Sequence, residues 1–268
     1  MATLIAMAVW DTVENKRTDF TRRTIECLAE TVDLTRHRVI ISDNGSCAAT
    51  QALYSRLPKG FSVIYNGENI GTAAAVNKAW RERRPGEYAV KMDNDVVIHS
   101  AGWVDEMEEA LQRGPEIGIL GLMRVDCDEN PYWPEWHNMK SELRKLPPFK
   151  GQPEFNGHRH IVVERVNHVM GTCQMYSPAL LEKIGYLYQP RLYGFDDSLA
   201  AVRCKVAGFE SCFLPHIRID HIDPGDTSYQ QWKHKVSGED MAEYNRIKEG
   251  YITGQIPIYY DPFKFVTA

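Results

Sequence analysis

Apolar runs and helical stripes alternate along the first half of the chain. Leu4 to Val9 is a continuous apolar run and predicts a buried strand, whereas Thr18 to Val32 sets Ile25, Leu28, Ala29 and Val32 on one helical face. The alternation continues with a strand at Arg38 to Ser42, a helical stretch through Leu53 and Leu57, and a strand at Phe61 to Tyr65. A helix over Gly71 to Arg84 and an apolar run from Tyr88 into Asp93 complete it. Such alternation builds a mostly parallel central sheet flanked by helices, so the predicted fold class is α/β.

The second half is less regular. Ala101 to Arg113 reads as a helix and Ile117 to Met123 as a strand, but 126–160 is rich in proline, tryptophan, histidine and charge and predicts an irregular insertion. Its aromatics Tyr132, Trp133 and Trp136 suit either stacking on a sugar or base or pinning the loop to the core. Regular pattern resumes at Ile161 to Val166, at Val169 to Tyr176 and in a helical segment from Asp196 to Ala207. The expected organisation is a ligand-binding half over 1–115, a second half over 116–225 and a tail over 226–268 that packs on the domain.

In open α/β sheets ligands gather beyond the carboxyl ends of the strands. Each predicted strand here ends in polar residues: Trp10 and Asp11, then Asp43-Asn-Gly-Ser46, then Asn66-Gly-Glu-Asn69, then Asp93-Asn94-Asp95. Two carboxylates flanking one residue, as in Asp93 and Asp95, can share a hard divalent cation whose other positions accept phosphate oxygens. The same residues also make ordinary turns after strands, because their side chains bond the local backbone. At Gly71-Thr72 an alanine-rich helix opens, and its free N–H groups favour an anion.

Composition adds little that is specific. The chain has 268 residues, room for a substantial core, and a formal net charge of -5 that gives no global attraction to polyanions. Six dispersed cysteines, with no closely spaced pair, fit packed, reduced thiols in a cytoplasmic protein. No apolar run is long enough to span a bilayer, and neither a signal peptide nor a lipidation box is expected.

Taken in order, Asp43-Asn-Gly-Ser, Asn69-x-Gly71-x-Ala-Ala-Ala-x-Asn77 and Asp93-x-Asp95 resemble the nucleotide-binding half of the GT-A glycosyltransferases. The likeness is to the large inverting family of chitin-synthase-like and rhamnosyltransferase-like enzymes, and it covers residues 3 to about 113. In the second half, Gly171-Thr-Cys-Gln-Met-Tyr176 resembles the family's strand at the acceptor site. Tyr193-Gly-Phe-Asp196-Asp197 through Arg203 resembles its acidic pair and following helix, with Leu199 where many relatives carry another acid.

The resemblance implies a GT-A, Rossmann-like fold and transfer of a sugar from a UDP-sugar, with inversion, to an acceptor hydroxyl. It implies a nucleotide-sugar site at Ala8, Trp10, Asp43, Asn69, Gly71, Thr72, Asn77, Asp93 and Asn94, with Asp43 receiving the imide N–H of uracil. A manganese or magnesium ion would be held by Asp95, His221 and Asp93, and the imidazole favours manganese. Asp197 would act as general base, with Asp196 orienting the acceptor or serving in reserve. The acceptor is left open among a glycan, a lipid-linked glycan, a protein and a hydroxylated nucleic-acid base. Two other readings compete: a nucleotidyltransferase, which usually carries a glycine-rich loop absent from 1–19, and a non-catalytic carbohydrate- or nucleic-acid-binding module on a transferase scaffold.

Overall fold

The computed structural model describes residues 2–125, 142–148, 160–223 and 228–264. The first apolar run forms β1 (Thr3–Val9), and its two faces bury different partners. Ile5 joins a cluster with Leu28 of α1 (Thr18–Thr31) and with Trp103 and Met107 of α4 (Trp103–Arg113). Leu4 and Ala6 point the other way, onto Val76 and Trp80 of α3 (Thr72–Trp80), as the two-residue repeat of a strand requires. Helices therefore cover both faces of the sheet.

Beside β1 lie β2 (Arg38–Asp43), β3 (Phe61–Tyr65) and β4 (Tyr88–Met92), all parallel, and the short helix α2 (Ala48–Leu53) links β2 towards β3. Beyond β4 the pattern changes. The ten-stranded sheet continues through β9 (Cys173–Tyr176), β6 (Ile117–Arg124), β10 (Glu210–His221), β8 (Val162–Val166) and β7 (Glu142–Lys145), while β5 (Val96–Ile98) pairs with β10. Strands β5, β8 and β9 run against the rest, so the sheet is mostly but not purely parallel. Because β9 fits between β4 and β6, one continuous sheet joins the two halves of the chain.

Most of the expected 126–160 insertion, including Tyr132, Trp133 and Trp136, lies outside the described residues. Strand β7 and Leu146, which is buried against Ile161, are the parts that can be placed. Two helices follow β9 before the last strand: α5 (Pro178–Ile184), capped by the Ser177 hydroxyl, and α6 (Asp196–Val206). The tail forms α7 (Ser228–Glu239) and α8 (Met241–Thr253). Among the described residues no helix is long and apolar enough to cross a membrane.

Leu199 has a packing explanation. It is fully buried beneath Ile247 and Tyr251 of α8, so an acid at this position would lose its water without gaining a partner. Arg203, one turn further along α6, is also fully buried. Its guanidinium donates to the carbonyls of Ile258 and Tyr186, each at 2.7 Å, and to that of Ile184. Removing those donors strands carbonyls from two segments, so Arg203→Met should lower stability by on the order of 3 kcal/mol, read as a lower urea midpoint. An unchanged midpoint would show that the carbonyls find other donors.

Candidate active site

A crevice of about 630 Å³, open to solvent, runs along the carboxyl ends of β1, β2 and β4. Of the expected nucleotide-site residues, Ala8, Trp10, Asn69, Thr72, Asp93 and Asn94 line it. Trp10 leans on Trp232 of α7, with ring centroids 5.3 Å apart, and Trp232 in turn meets Tyr193 at 5.8 Å. Asn94 also braces the turn from within, its amide donating to Asp11 at 2.9 Å and to Thr21 of α1 at 2.7 Å.

Three further residues expected at the nucleotide site have internal partners in the structure. Asp43 is fully buried; one carboxylate oxygen accepts the N–H groups of Gly45 and Ser46, and the other accepts the Tyr54 hydroxyl at 2.6 Å. It shapes the turn after β2 and is not among the residues that line the crevice. Asn77 is buried and clasps the backbone of Leu187, donating to its carbonyl at 2.8 Å and accepting its N–H at 2.9 Å. Gly71 has φ +93, and a Cβ there would press on the Leu192 backbone at 3.1 Å, so its smallness serves packing against the chain before α6.

Asp95 sits at the crevice floor and is almost completely buried. Its Oδ2 is paired with the Arg17 guanidinium and lies 3.4 Å from His221 Nε2. Its Oδ1 is buried without a hydrogen-bond donor among the described residues. Burial would raise this carboxyl, but His221, Arg17 and Lys233 outweigh it and hold the group below the usual carboxylate value. Arg17 also reaches Asp223 at 2.5 Å. Lys233, whose own ammonium is disfavoured by burial, completes this charged floor.

A second charged group spans the crevice. Lys91 of β4 is buried, with its Nζ 2.7 Å from the Gly171 carbonyl, 3.2 Å from Asp93 and 3.4 Å from Asp196. Burial opposes its charge, yet Asp196, Asp93 and Asp197 more than compensate and keep it protonated. A Cβ on Gly171 would overlap Lys91 Nζ, so the glycine leaves room for the ammonium beside its carbonyl. One ammonium thus links the Asp93 side of the crevice to the acidic pair at the start of α6.

The acidic pair faces two ways. Phe195 holds φ +65, stacks on Tyr244 at 4.4 Å, and turns the chain into α6 so that Asp196 lines the crevice. Burial, then Asp197 and Asp93, raise the Asp196 carboxyl against the opposing pull of Lys91. Asp197 turns outward and accepts the N–H groups of Gly171 at 2.9 Å and Ser198 at 2.7 Å. His168 lies 3.3 Å from it. Burial alone would raise Asp197, but His168, Lys91 and the Ser198 N–H hold it well below the carboxylate range. His168 is raised in return, its burial outweighed by the two aspartates.

The sequence reading therefore brings Asp93, Asp95, His221 and Asp196 together, and misses Arg17, Lys91, Lys233 and His168. Lys91 had a visible signal, a lysine inside an apolar strand. The others become neighbours only through folding.

The donor atoms here are of the kinds that a divalent ion takes. The shared Asp95 oxygen with His221 beside it, the unpaired Asp95 Oδ1 and the part-exposed Asp93 supply oxygen and imidazole nitrogen, a set suited to manganese. Among the described residues these side chains do not form a ready-made cage of three ligands.

A family model described as "Glycosyl transferase family 2" matches residues 14–185. No curated protein sequence matches the chain significantly. Among solved structures, the mannosyltransferase PcManGT from Pyrobaculum calidifontis in complex with GDP-Man and Mn2+ superposes with a TM-score of 0.63 at 15% identity, over 86% of this chain and 59% of that one. TarS 1-349 of S. aureus in complex with UDP gives 0.59 at 16% identity, over 94% and 65%. GalNAc-T7 with UDP, GalNAc and Mn2+ gives 0.57 at 11% identity, over 82% and 44%. The chain thus spans less than two thirds of each of these relatives, and the shared property is the GT-A fold.

Proposed function

The chain belongs to glycosyl transferase family 2, and from that premise we propose that it transfers a sugar from a nucleotide sugar, a UDP-sugar in our reading, with inversion, to an acceptor hydroxyl. The observation that carries the proposal is the crevice itself: Asp93 and Asp95, the cations Arg17, Lys91 and Lys233, and Asp196 line one cleft at the strand ends where nucleotides bind in such sheets. Relatives of the same fold were solved with UDP and with GDP-Man, so the fold accommodates more than one nucleotide. Since Asp43 is engaged internally, the preference for UDP rests on the family resemblance.

Asp95 and His221 would hold a manganese or magnesium ion, with Asp93 completing its shell. When bound, that ion neutralises charge developing on the departing diphosphate. Arg17 and Lys233 add positive charge to the same wall, and Trp10 offers a flat apolar face. Asp197 is the base in this scheme. It is the more exposed of the acidic pair, stays ionised and lies beside His168. Asp196, held by Lys91, orients the acceptor. The acceptor class, whether glycan, lipid-linked glycan, protein or hydroxylated base, is for experiment to choose.

Thermal unfolding across a panel of nucleotide sugars, each with manganese, magnesium or chelator, tests the reading. A rise in Tm with a UDP-sugar that chelator removes is expected, together with slow donor hydrolysis. No metal-dependent response to any nucleotide sugar would sink it.

A further inference from the structure

Arg17 occupies an unusual place for a cation. It is nearly fully buried and bridges two carboxylates, Asp95 and Asp223, contributed by different strand ends. The oxygen of Asp95 that it takes is also the one nearest His221. This guanidinium therefore stands on the donor atom that a divalent ion held by Asp95 and His221 would use.

The chain presents it under strain. Among the described residues only Lys16 and Phe195 are non-glycine positions with positive φ, +54 and +65, and each immediately precedes a charged residue of the crevice. Such conformations cost free energy and persist where neighbouring contacts impose them, which is commonest at functional sites. Here the contacts are explicit. Asn15 accepts the N–H groups of Thr12 at 2.8 Å and Arg17 at 3.2 Å and donates to the Trp10 carbonyl at 2.8 Å, so the loop after β1 is built to deliver Arg17.

We propose that Arg17 is a tethered counter-cation that competes with the divalent ion for Asp95, neutralising the acidic floor when the ion is absent and yielding the shared oxygen when it binds. The inference rests on the assignment of Asp95 and His221 as metal ligands. Its logic is exchange of one cation for another. Asp95 loses the guanidinium and gains the ion, while Arg17 keeps Asp223 as its anchor at the crevice wall. A carboxylate paired this way is kept charged and in place, but the pairing scales its apparent metal affinity down to the fraction of molecules in which Asp95 is free.

The test is manganese binding without any nucleotide, by calorimetry and by the rise in Tm that manganese produces, in wild type, Arg17→Met and Arg17→Lys. Expected is binding about tenfold tighter in Arg17→Met, with a larger manganese-induced rise in Tm even though its metal-free Tm falls. Arg17→Lys should lie between, because an ammonium keeps the charge but cannot bridge both carboxylates. Equal or weaker binding by Arg17→Met overturns the proposal. So does an Arg17→Lys variant indistinguishable from wild type beside a tighter Arg17→Met, since that pattern is simple charge repulsion. If wild type binds no manganese while Asp95→Asn behaves identically, it is the metal-ligand assignment that fails.

Discussion

Asp95→Asn should abolish metal-dependent nucleotide-sugar binding and lower transfer by about 10³-fold or more. The magnitude follows from the several kcal/mol that a bound ion contributes to stabilising charge on a leaving phosphate, each 1.36 kcal/mol being about tenfold in rate. The substitution preserves shape while removing the negative charge that Arg17, His221 and Lys233 converge upon. Asp93→Asn should cost less, because Asp93 is about one third exposed and spends part of its charge on Lys91 at 3.2 Å. Calorimetry with UDP and manganese, alongside initial rates, distinguishes the two. If Asp93→Asn proved the more damaging, the direct ligand would be Asp93 and the floor formed by Asp95 and Arg17 would be structural. Circular dichroism checks the fold, since Arg17 keeps Asp223 in the variant.

The fold and the site were legible in the sequence to different depths, for physical reasons. In the first half β1, β2 and β4 are buried almost throughout and read as apolar runs, and α1 carries an apolar stripe; its expected bounds, Thr18 to Val32, differ from the observed Thr18–Thr31 by one residue. The second half hides its order because β9 is inserted antiparallel between strands far from it in sequence, a pairing no local pattern announces. Strand β5 has three residues and α5 seven, too short to show a period. At the site, Asp93 and Asp95 were legible as residues following a strand, whereas the partners of the acids were not. Arg17 lies 78 residues from Asp95 and Lys91 lies 80 from Gly171, so both pairings exist only in the folded chain. The turn chemistry of Asp43 was readable in Asp-Asn-Gly-Ser, whose local backbone bonds the structure shows.

Asp197→Asn should leave donor binding intact and lower the rate of transfer by about 10²–10⁴-fold, the range spanned by a positioned general base. Asp197 and Asp196 are adjacent in sequence yet chemically distinct: Asp196 faces Lys91 in the crevice and is raised by burial, while Asp197 opens outward beside His168 and is held low. Asp196→Asn should therefore raise the acceptor KM more than it lowers kcat, because it would disturb orientation rather than proton removal. The pH dependence adds a second reading of the same pair. Asp197 has a folded value below its unfolded one, so the stability it contributes is present above the unfolded carboxylate pKa of about 4 and is lost as pH falls through the folded value. His168 has the opposite sign: its contribution is full below the unfolded imidazole value of about 6.5 and fades as pH rises through its raised folded value. His168→Gln removes the cation that holds Asp197 low, so the acid limb of the transfer profile should move to higher pH. Retained transfer in Asp197→Asn, with loss in Asp196→Asn, would reverse the two roles and make the carboxylate held by Lys91 the base.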